Sequence, residues 1–183
     1  MNYFLRELCR DDVEEINAWR NDREIISSLA APFRFIGKNI DDAWYESYIS
    51  NRSNNIRLAI TEDKGGKIIG ATYLTEIDWV AKSGELSIWI GKKDKQKKGA
   101  GKFAIEAMLS HAFSDLGLNR VFLTVLDNNI VARNLYLKFG FVEEAVLRQV
   151  VFKNGEFKDM ILMAILASDY FNGLASEINK RKA

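Results

Sequence analysis

Residues 96–102, Gln96-Lys97-Lys98-Gly99-Ala100-Gly101-Lys102, run directly into an apolar, helix-patterned segment from Phe103 to Phe113. Two glycines separated by one residue let a backbone come close to a ligand. The helix behind them presents free N–H groups and the positive end of its dipole to the loop. A loop of this build cradles phosphate. The fold and the function are read outward from this stretch.

Three phosphate motifs compete for it. A nucleoside-triphosphate loop of the Walker type needs an earlier glycine and a Ser or Thr after Gly-Lys. Gln96 and Phe103 occupy those positions, so that reading fails. A dinucleotide fingerprint is matched literally by Gly99, Gly101 and Ala104. That motif turns straight from strand into helix, whereas Gly91 to Lys98 separates this loop from a strand ending near Ile90. Coenzyme A is the third. Its pyrophosphate suits the helix start, and its ribose phosphate suits Lys92, Lys93, Lys95, Lys97, Lys98 and Lys102. A solvated loop is the plain alternative for any one of these lysines.

The rest of the chain bounds the answer. Its 183 residues, 48% hydrophobic with 4 Trp, 11 Phe and 6 Tyr, are enough for one domain with a full core. The net charge of +1 provides no overall field for nucleic acid or membrane. One His and one Cys, His111 and Cys9, cannot build a His/Cys metal site or an internal disulfide. No metal is expected. The charged Met1–Asp12 segment is unlike a signal peptide, and no apolar run reaches the ~20 residues of a span. A cytoplasmic protein is expected.

Periodicity predicts a strand at 3–8, then a helix capped by Asp11 or Asp12 with Val13, Ile16 and Trp19 on one face. Residues 21–39 read as a bend with a short helical piece. A second helix starts at Asn39 or Asp41. Strands follow at 57–61, 67–77 and 84–90, with a turn at 63–66. Helix 101–116, strand 120–126 and a helix from Asn128 or Asn129 to about Phe139, stopped by Gly140, come next. Asn154-Gly155 joins strands 141–152 and 157–165 as a hairpin. Residues 1–168 read as one domain, and 169–183 as a helical tail with a basic end. Such an order suggests an α/β or α+β sheet with helices on its faces.

Gln96-x-x-Gly99-x-Gly101 resembles the acetyl-CoA motif of the GNAT acetyltransferase superfamily. Asn129-x-x-Ala132-x-x-Leu135-Tyr136-x-Lys138-Phe139-Gly140-Phe141 resembles the motif that follows it. The element order fits from Tyr3 to about Ala167. Leu74 to Asp78 and Lys153 to Asp159 are similar to the branch of ribosomal-protein N-terminal, spermidine and amino-sugar acetyltransferases. The resemblance implies a mixed, mostly antiparallel sheet with a splayed strand pair that holds acetyl-CoA. It implies acetyl transfer to a primary amine by direct attack in a ternary complex.

That chemistry asks for three things. Backbone N–H groups must hold the oxyanion; the resemblance puts them on the strand carrying Ile88, Trp89 and Ile90. The leaving thiolate gains from a proton donor, a place that Tyr136 matches, with core packing as its alternative. The amine must lose a proton. Glu85 matches a carboxylate position, with a surface ion pair as its alternative, and Glu76 and Asp78 are weaker candidates. Ile88, Trp89, Ile90, Gln96, Lys97, Lys98, Gly99, Ala100, Gly101, Lys102, Asn129 and Tyr136 form the expected cofactor site. Asn129 is equally explained as a helix cap.

Trp19, Arg20, Trp44 and Tyr45 are the acceptor candidates, against core packing for Trp19 and solvent for the rest. Trp79 and Arg34 are secondary. Asp11, Asp12, Glu14, Glu15, Asp41, Asp42 and Glu46 would serve a polyamine. A small amine or amino sugar ranks first as acceptor. A protein N-terminus and a non-catalytic acetyl-CoA-binding module are the alternatives. Neither nucleic acid nor membrane is an expected partner, and self-association as a homodimer is open.

Overall fold

The computed structural model describes the backbone of residues 2–182 and the side chains of residues 2–175. The chain runs β1 (Phe4–Glu7), α1 (Asp12–Arg20), α2 (Arg23–Ser27), α3 (Lys38–Ser50), β2 (Ile56–Thr61), β3 (Ile68–Asp78) and β4 (Ser83–Trp89). It continues through α4 (Ala100–Ser110), β5 (Arg120–Leu126), α5 (Ile130–Lys138), β6 (Val142–Lys153), β7 (Glu156–Leu166) and α6 (Ala167–Lys182). Seven strands form one sheet in the order β1-β2-β3-β4-β5-β7-β6. Every neighbouring pair is antiparallel except β4 and β5.

That exception decides the architecture. β4 and β5 are parallel and pair only at Ser83–Arg120, Gly84–Val121 and Glu85–Phe122. Beyond Glu85 the two strands part: β4 continues to Trp89 against β3, and β5 to Leu126 against β7. A wedge opens in the middle of the sheet, flanked by a backbone edge without ladder partners.

Both faces are covered. Ile16, Trp19, Ile25 and Tyr48 from α1–α3 pack on Ala59, Ile68 and Ala71 of the sheet. On the other side Ile105, Met108 and Leu109 of α4 and Tyr136 of α5 meet Leu74, Leu86, Val121, Leu123 and Met163. The three positions Val13, Ile16 and Trp19 are buried as their spacing requires.

Several local expectations change. Neither Asp11 nor Asp12 caps α1 with its side chain. Asp12 instead takes both Arg6 Nη atoms at 2.7 Å and the Cys9 N–H at 2.9 Å, an arrangement worth more to a buried carboxylate than a cap. The short helix α2 is capped by Asp22, which accepts from the N–H of Glu24 at 2.8 Å. Helix α3 starts at Lys38 behind Gly37, and Asp41 is fully buried within its first turn. The helix after the phosphate loop leaves α geometry at Ser110 and ends in a π turn, His111–Asp115. Helix α6 begins at Ala167, and Tyr170 rests on Phe113 with ring centroids 5.1 Å apart. The first turn of the expected tail is therefore docked on the domain core. The basic end falls outside the described side chains.

Candidate active site

The loop between β4 and α4 is tied down by its own side chains. Residues Lys93–Lys95 form a 3-10 turn. Lys93 Nζ lies 2.8 Å from Asp22 and 2.5 Å from Glu24, binding the loop to α2. Lys95 lies 2.7 Å from Glu62, at the end of β2. Gln96 donates from Nε2 to the Ile90 carbonyl at 3.0 Å and closes the end of β4. These three residues anchor the loop rather than reach outward. Lys97, Lys98 and Lys102 are exposed and hold no ion pair among the described residues. The Lys98 carbonyl accepts the Tyr3 hydroxyl at 2.8 Å.

Gly99 stands at the N-cap of α4 with φ +94°, a left-handed conformation that costs an L side chain about 1–2 kcal/mol. The first hydrogen bond of the helix runs from Phe103 N–H to Gly99 O at 3.0 Å. The N–H groups of Ala100, Gly101 and Lys102 precede it and face the loop unpaired. A Cβ on Gly101 would sit 3.8 Å from Leu135 and 4.0 Å from Ile88. Gly101 thus lies where α4, α5 and the free edge of β4 meet. Unpaired N–H groups, three uncommitted lysines and an adjacent open wedge fit a pyrophosphate with a pantetheine arm.

Of the two candidate catalytic groups, Glu85 stands at the point where the wedge opens, and Tyr136 lies in the core beneath α5. Glu85 is the last residue of β4 paired to β5, opposite Thr75 on β3. It is half-buried, and burial raises its pKa above the usual carboxylate value. The charge of Glu76 adds to the rise, and a hydrogen bond with Thr124 opposes it. Glu76 itself sits in a β-bulge with φ +50°, between Thr75 and Asp78. Tyr136, on α5, is 8% exposed and packs 5.6 Å from the Phe141 ring. Burial alone pushes its phenol up to about 12. Ile88 and Ile90 are partly buried against α4, Ala100 is buried beneath it, and Trp89 turns to the opposite face.

Asn129 caps α5 by accepting from Ala132 N–H at 3.2 Å, and its Nδ2 donates to Ser28 O at 3.1 Å. Both polar atoms are committed, so the cap accounts for this residue. On the acceptor side, Trp19 is 5% exposed and meets Trp89 edge-on at 5.4 Å. A Cβ on Gly91 would fall 1.9 Å from the Trp19 ring. Trp19 is a core residue, as its alternative reading held. Arg20 pairs with the buried Asp41. Trp44 faces Tyr73 at 6.3 Å, and Tyr45 lies under Arg10. The acids considered for a polyamine are largely committed: Asp12 to Arg6, Asp41 to Arg20, and Asp42 and Glu46 to Arg10. Trp79 is surface-exposed and donates to Ser53 O. His111 pairs with Asp115 on the far end of α4.

In the sequence, one residue that matters here stands only at the start of the segment Lys153 to Asp159, with no role of its own. Lys153 is 8% exposed at the foot of the β6–β7 hairpin. Its Nζ donates to the carbonyls of Ile26, at 2.6 Å, and Leu29. Burial lowers its pKa. Together with Asn129 it fastens the end of α2 to the hairpin and to α5. A surface depression of about 630 Å³ along Val146–Val150 lies on the edge strand β6 and brings no catalytic constellation together.

The splayed parallel pair with a glycine-capped helix at its mouth defines an acetyl-CoA-dependent N-acetyltransferase, and the chain belongs to the GNAT acetyltransferase family. The model of the acetyltransferase (GNAT) domain matches residues 2–142. Spermidine N(1)-acetyltransferase of Vibrio cholerae is 32% identical over 169 residues, 92% of this chain and 95% of that protein. Its crystal structure with CoA and spermine superimposes with a TM-score of 0.84 at 31% identity, covering 92% of this chain and 98% of the other. A dodecameric structure of the same enzyme gives 0.80 at 32% identity, covering 93% and 96%. The putative ribosomal N-acetyltransferase YdaF of Bacillus subtilis is 27% identical over 91% of this chain and 86% of its own length. Among the described residues no helix is long and apolar enough to cross a membrane, and no His, Cys, Asp and Glu cluster is placed to hold a metal ion.

Proposed function

We propose that this chain moves the acetyl group of acetyl-CoA to the primary amine of a small aliphatic acceptor of the polyamine kind, by direct attack within a ternary complex. Glu85 takes the amine proton, directly or through water. The nitrogen forms its bond to the acetyl carbonyl carbon, and the C–S bond breaks. Tyr136 returns a proton to the departing sulfur. The cofactor lies with its pyrophosphate on Gly99, Ala100 and Gly101 and with its arm along the free edge of β4.

The observation that carries this reading is the position of Glu85 at the point where β4 and β5 part. A carboxylate made more basic by burial accepts a proton more readily. A phenol held near 12 keeps its proton at any working pH and can give it to a desolvated thiolate. Kinship with the Vibrio cholerae enzyme supports the polyamine acceptor. The commitment of the nearby acids to arginines favours a short amine over a long polycation. The Bacillus subtilis relative keeps a protein N-terminus as the second reading.

Thiol release measured across polyamines, amino sugars, amino acids and ribosomal peptides tests the acceptor. Tyr136→Phe and Glu85→Gln test the roles. A folded Tyr136→Phe protein with undiminished kcat removes the proton-donor assignment. We also infer that copies associate through the β6 edge. Val142, Val146, Val150 and Phe152 of β6 and Phe157 of β7 are each more than half exposed there.

A further inference from the structure

The sheet face under α1–α3 carries a charge that acetyl transfer does not use. Arg57 stands on β2 opposite Tyr73 on β3. Its guanidinium lies 4.8 Å from the Tyr73 ring centroid, 5.0 Å from that of Trp44 and 5.6 Å from that of Tyr48. Its Nε is buried without a hydrogen-bond partner, and the buried Tyr73 hydroxyl, beside the Trp89 indole, makes no hydrogen bond of good geometry.

Arg57 differs from its peers. Arg6, Arg20, Arg120 and Arg133, the other partly buried arginines among the described residues, each hold a carboxylate. Arg57 holds none. Burial pulls its pKa below the usual value, and only the oxygens of Tyr73 and Tyr48 oppose that. Glu7 accepts the Tyr48 hydroxyl at 2.8 Å and is already paired with Arg52. A half-buried guanidinium with an orphaned Nε and no carboxylate partner is costly unless something supplies the charge.

Beside it lies a cavity of about 110 Å³ walled by Trp44, Ser47, Tyr48, Asn51, Asn55 and Arg57. Its polar wall is made of hydroxyl, amide and guanidinium groups, with no Asp or Glu. On the scale of ~30 Å³ per water molecule, it has room for a group of a few heavy atoms. We propose that Arg57 and this cavity bind a compact oxyanion, a carboxylate or a phosphate. The guanidinium fork takes two oxygens, and the Asn51 amide in the cavity wall is placed to supply a further donor, beside the Asn55 amide, which donates to Asn54 at 2.8 Å.

The site stands whether or not Glu85 is the base, but the two share a sheet face. Tyr73 is paired with Ser87, two residues along β4 from Glu85. With strands ~4.8 Å apart and ~3.4 Å per residue, the Cα atoms of Arg57 and Glu85 are roughly 12 Å apart. The oxyanion is therefore either the far end of an acceptor whose amine lies at Glu85 or a free ion.

The test uses the whole protein saturated with CoA, so that the α4 site is filled. Inorganic phosphate and acetate are titrated against NaCl of matched ionic strength, and the thermal midpoint and tryptophan fluorescence are followed. Wild type should show a saturable rise in midpoint. Arg57→Met should lose it. Asn55→Asp, which supplies a fixed carboxylate, should raise the midpoint without ligand and abolish the response. Two acceptors of equal length, an ω-amino acid and a diamine, then assign the source. An acceptor-borne anion gives the amino acid the higher kcat/KM, with KM raised about tenfold in Arg57→Met at unchanged kcat. A free ion changes both acceptors equally. Equal phosphate responses in wild type and Asn55→Asp, or none above matched NaCl, overturn the proposal.

Discussion

Glu85 owes its basicity to two local causes, and each makes a separate prediction. Burial raises its pKa first and the neighbouring Glu76 charge second. As a base it must be ionised, so kcat falls as pH drops through a value above the ordinary 4.5 of a free glutamate. Glu76→Gln removes a like charge and should move that limb toward lower pH while leaving the plateau. Glu85→Gln should abolish the limb and cost on the order of 10²–10⁴ in kcat. A pH profile of kcat for the three proteins decides it; an unmoved limb in Glu76→Gln would show that another group titrates. At the same scale the two loop glycines separate. Gly101→Val has tolerable protein contacts, since its Cβ meets Leu135 and Ile88 at 3.8 and 4.0 Å. Its expected result is a folded protein with weakened CoA affinity by calorimetry. Gly99→Ala meets no atom within 4 Å but must hold φ +94°. Its expected cost is about 1 kcal/mol of stability in denaturant melts.

At the level of elements, the end of α2 is held by two long-range contacts. Lys153 reaches from the hairpin to the carbonyls of Ile26 and Leu29, and Asn129 reaches from α5 to Ser28. A lysine at a helix end satisfies orphan carbonyls and complements the dipole. Lys153→Met should leave those carbonyls unpaired at a cost of about 1–3 kcal/mol. It should also raise KM for the acceptor more than for acetyl-CoA. Chemical denaturation and initial rates with each substrate varied measure the two effects; equal changes in both KM values would show that α2 does not border the acceptor. The hairpin itself was plain from Asn154-Gly155, as was the α5 cap. The resemblance over Lys153 to Asp159 assigns Lys153 no contact, because a lysine beside a hairpin turn looks solvated until another element covers it. Trp19 shows the reverse. Its helix spacing already placed it on the apolar face, and the bare Cα of Gly91 against its ring shows why no room is left for a ligand there.

For the whole molecule, the apolar edge formed by Val142, Val146, Val150, Phe152 and Phe157 is the feature an isolated copy would not keep exposed. Sedimentation at micromolar concentration should find an assembly larger than 20.9 kDa, and Val146→Lys should shift it toward the monomer. A wild-type monomer over the same range removes this edge as an interface. The order of strands and helices, the glycine-capped phosphate loop and the second motif around Tyr136 were determined by the sequence itself. Turn residues, caps and hydrophobic period are local properties that neighbouring residues dictate. The tertiary structure alone decided which lysines of the loop remain uncommitted, since Lys93 and Lys95 find their acids on distant elements. It also decided that the acids of α1 and α3 are largely spent on arginines while Arg57 is left without one. Charge pairing depends on which surfaces meet across the fold, and no local pattern encodes that.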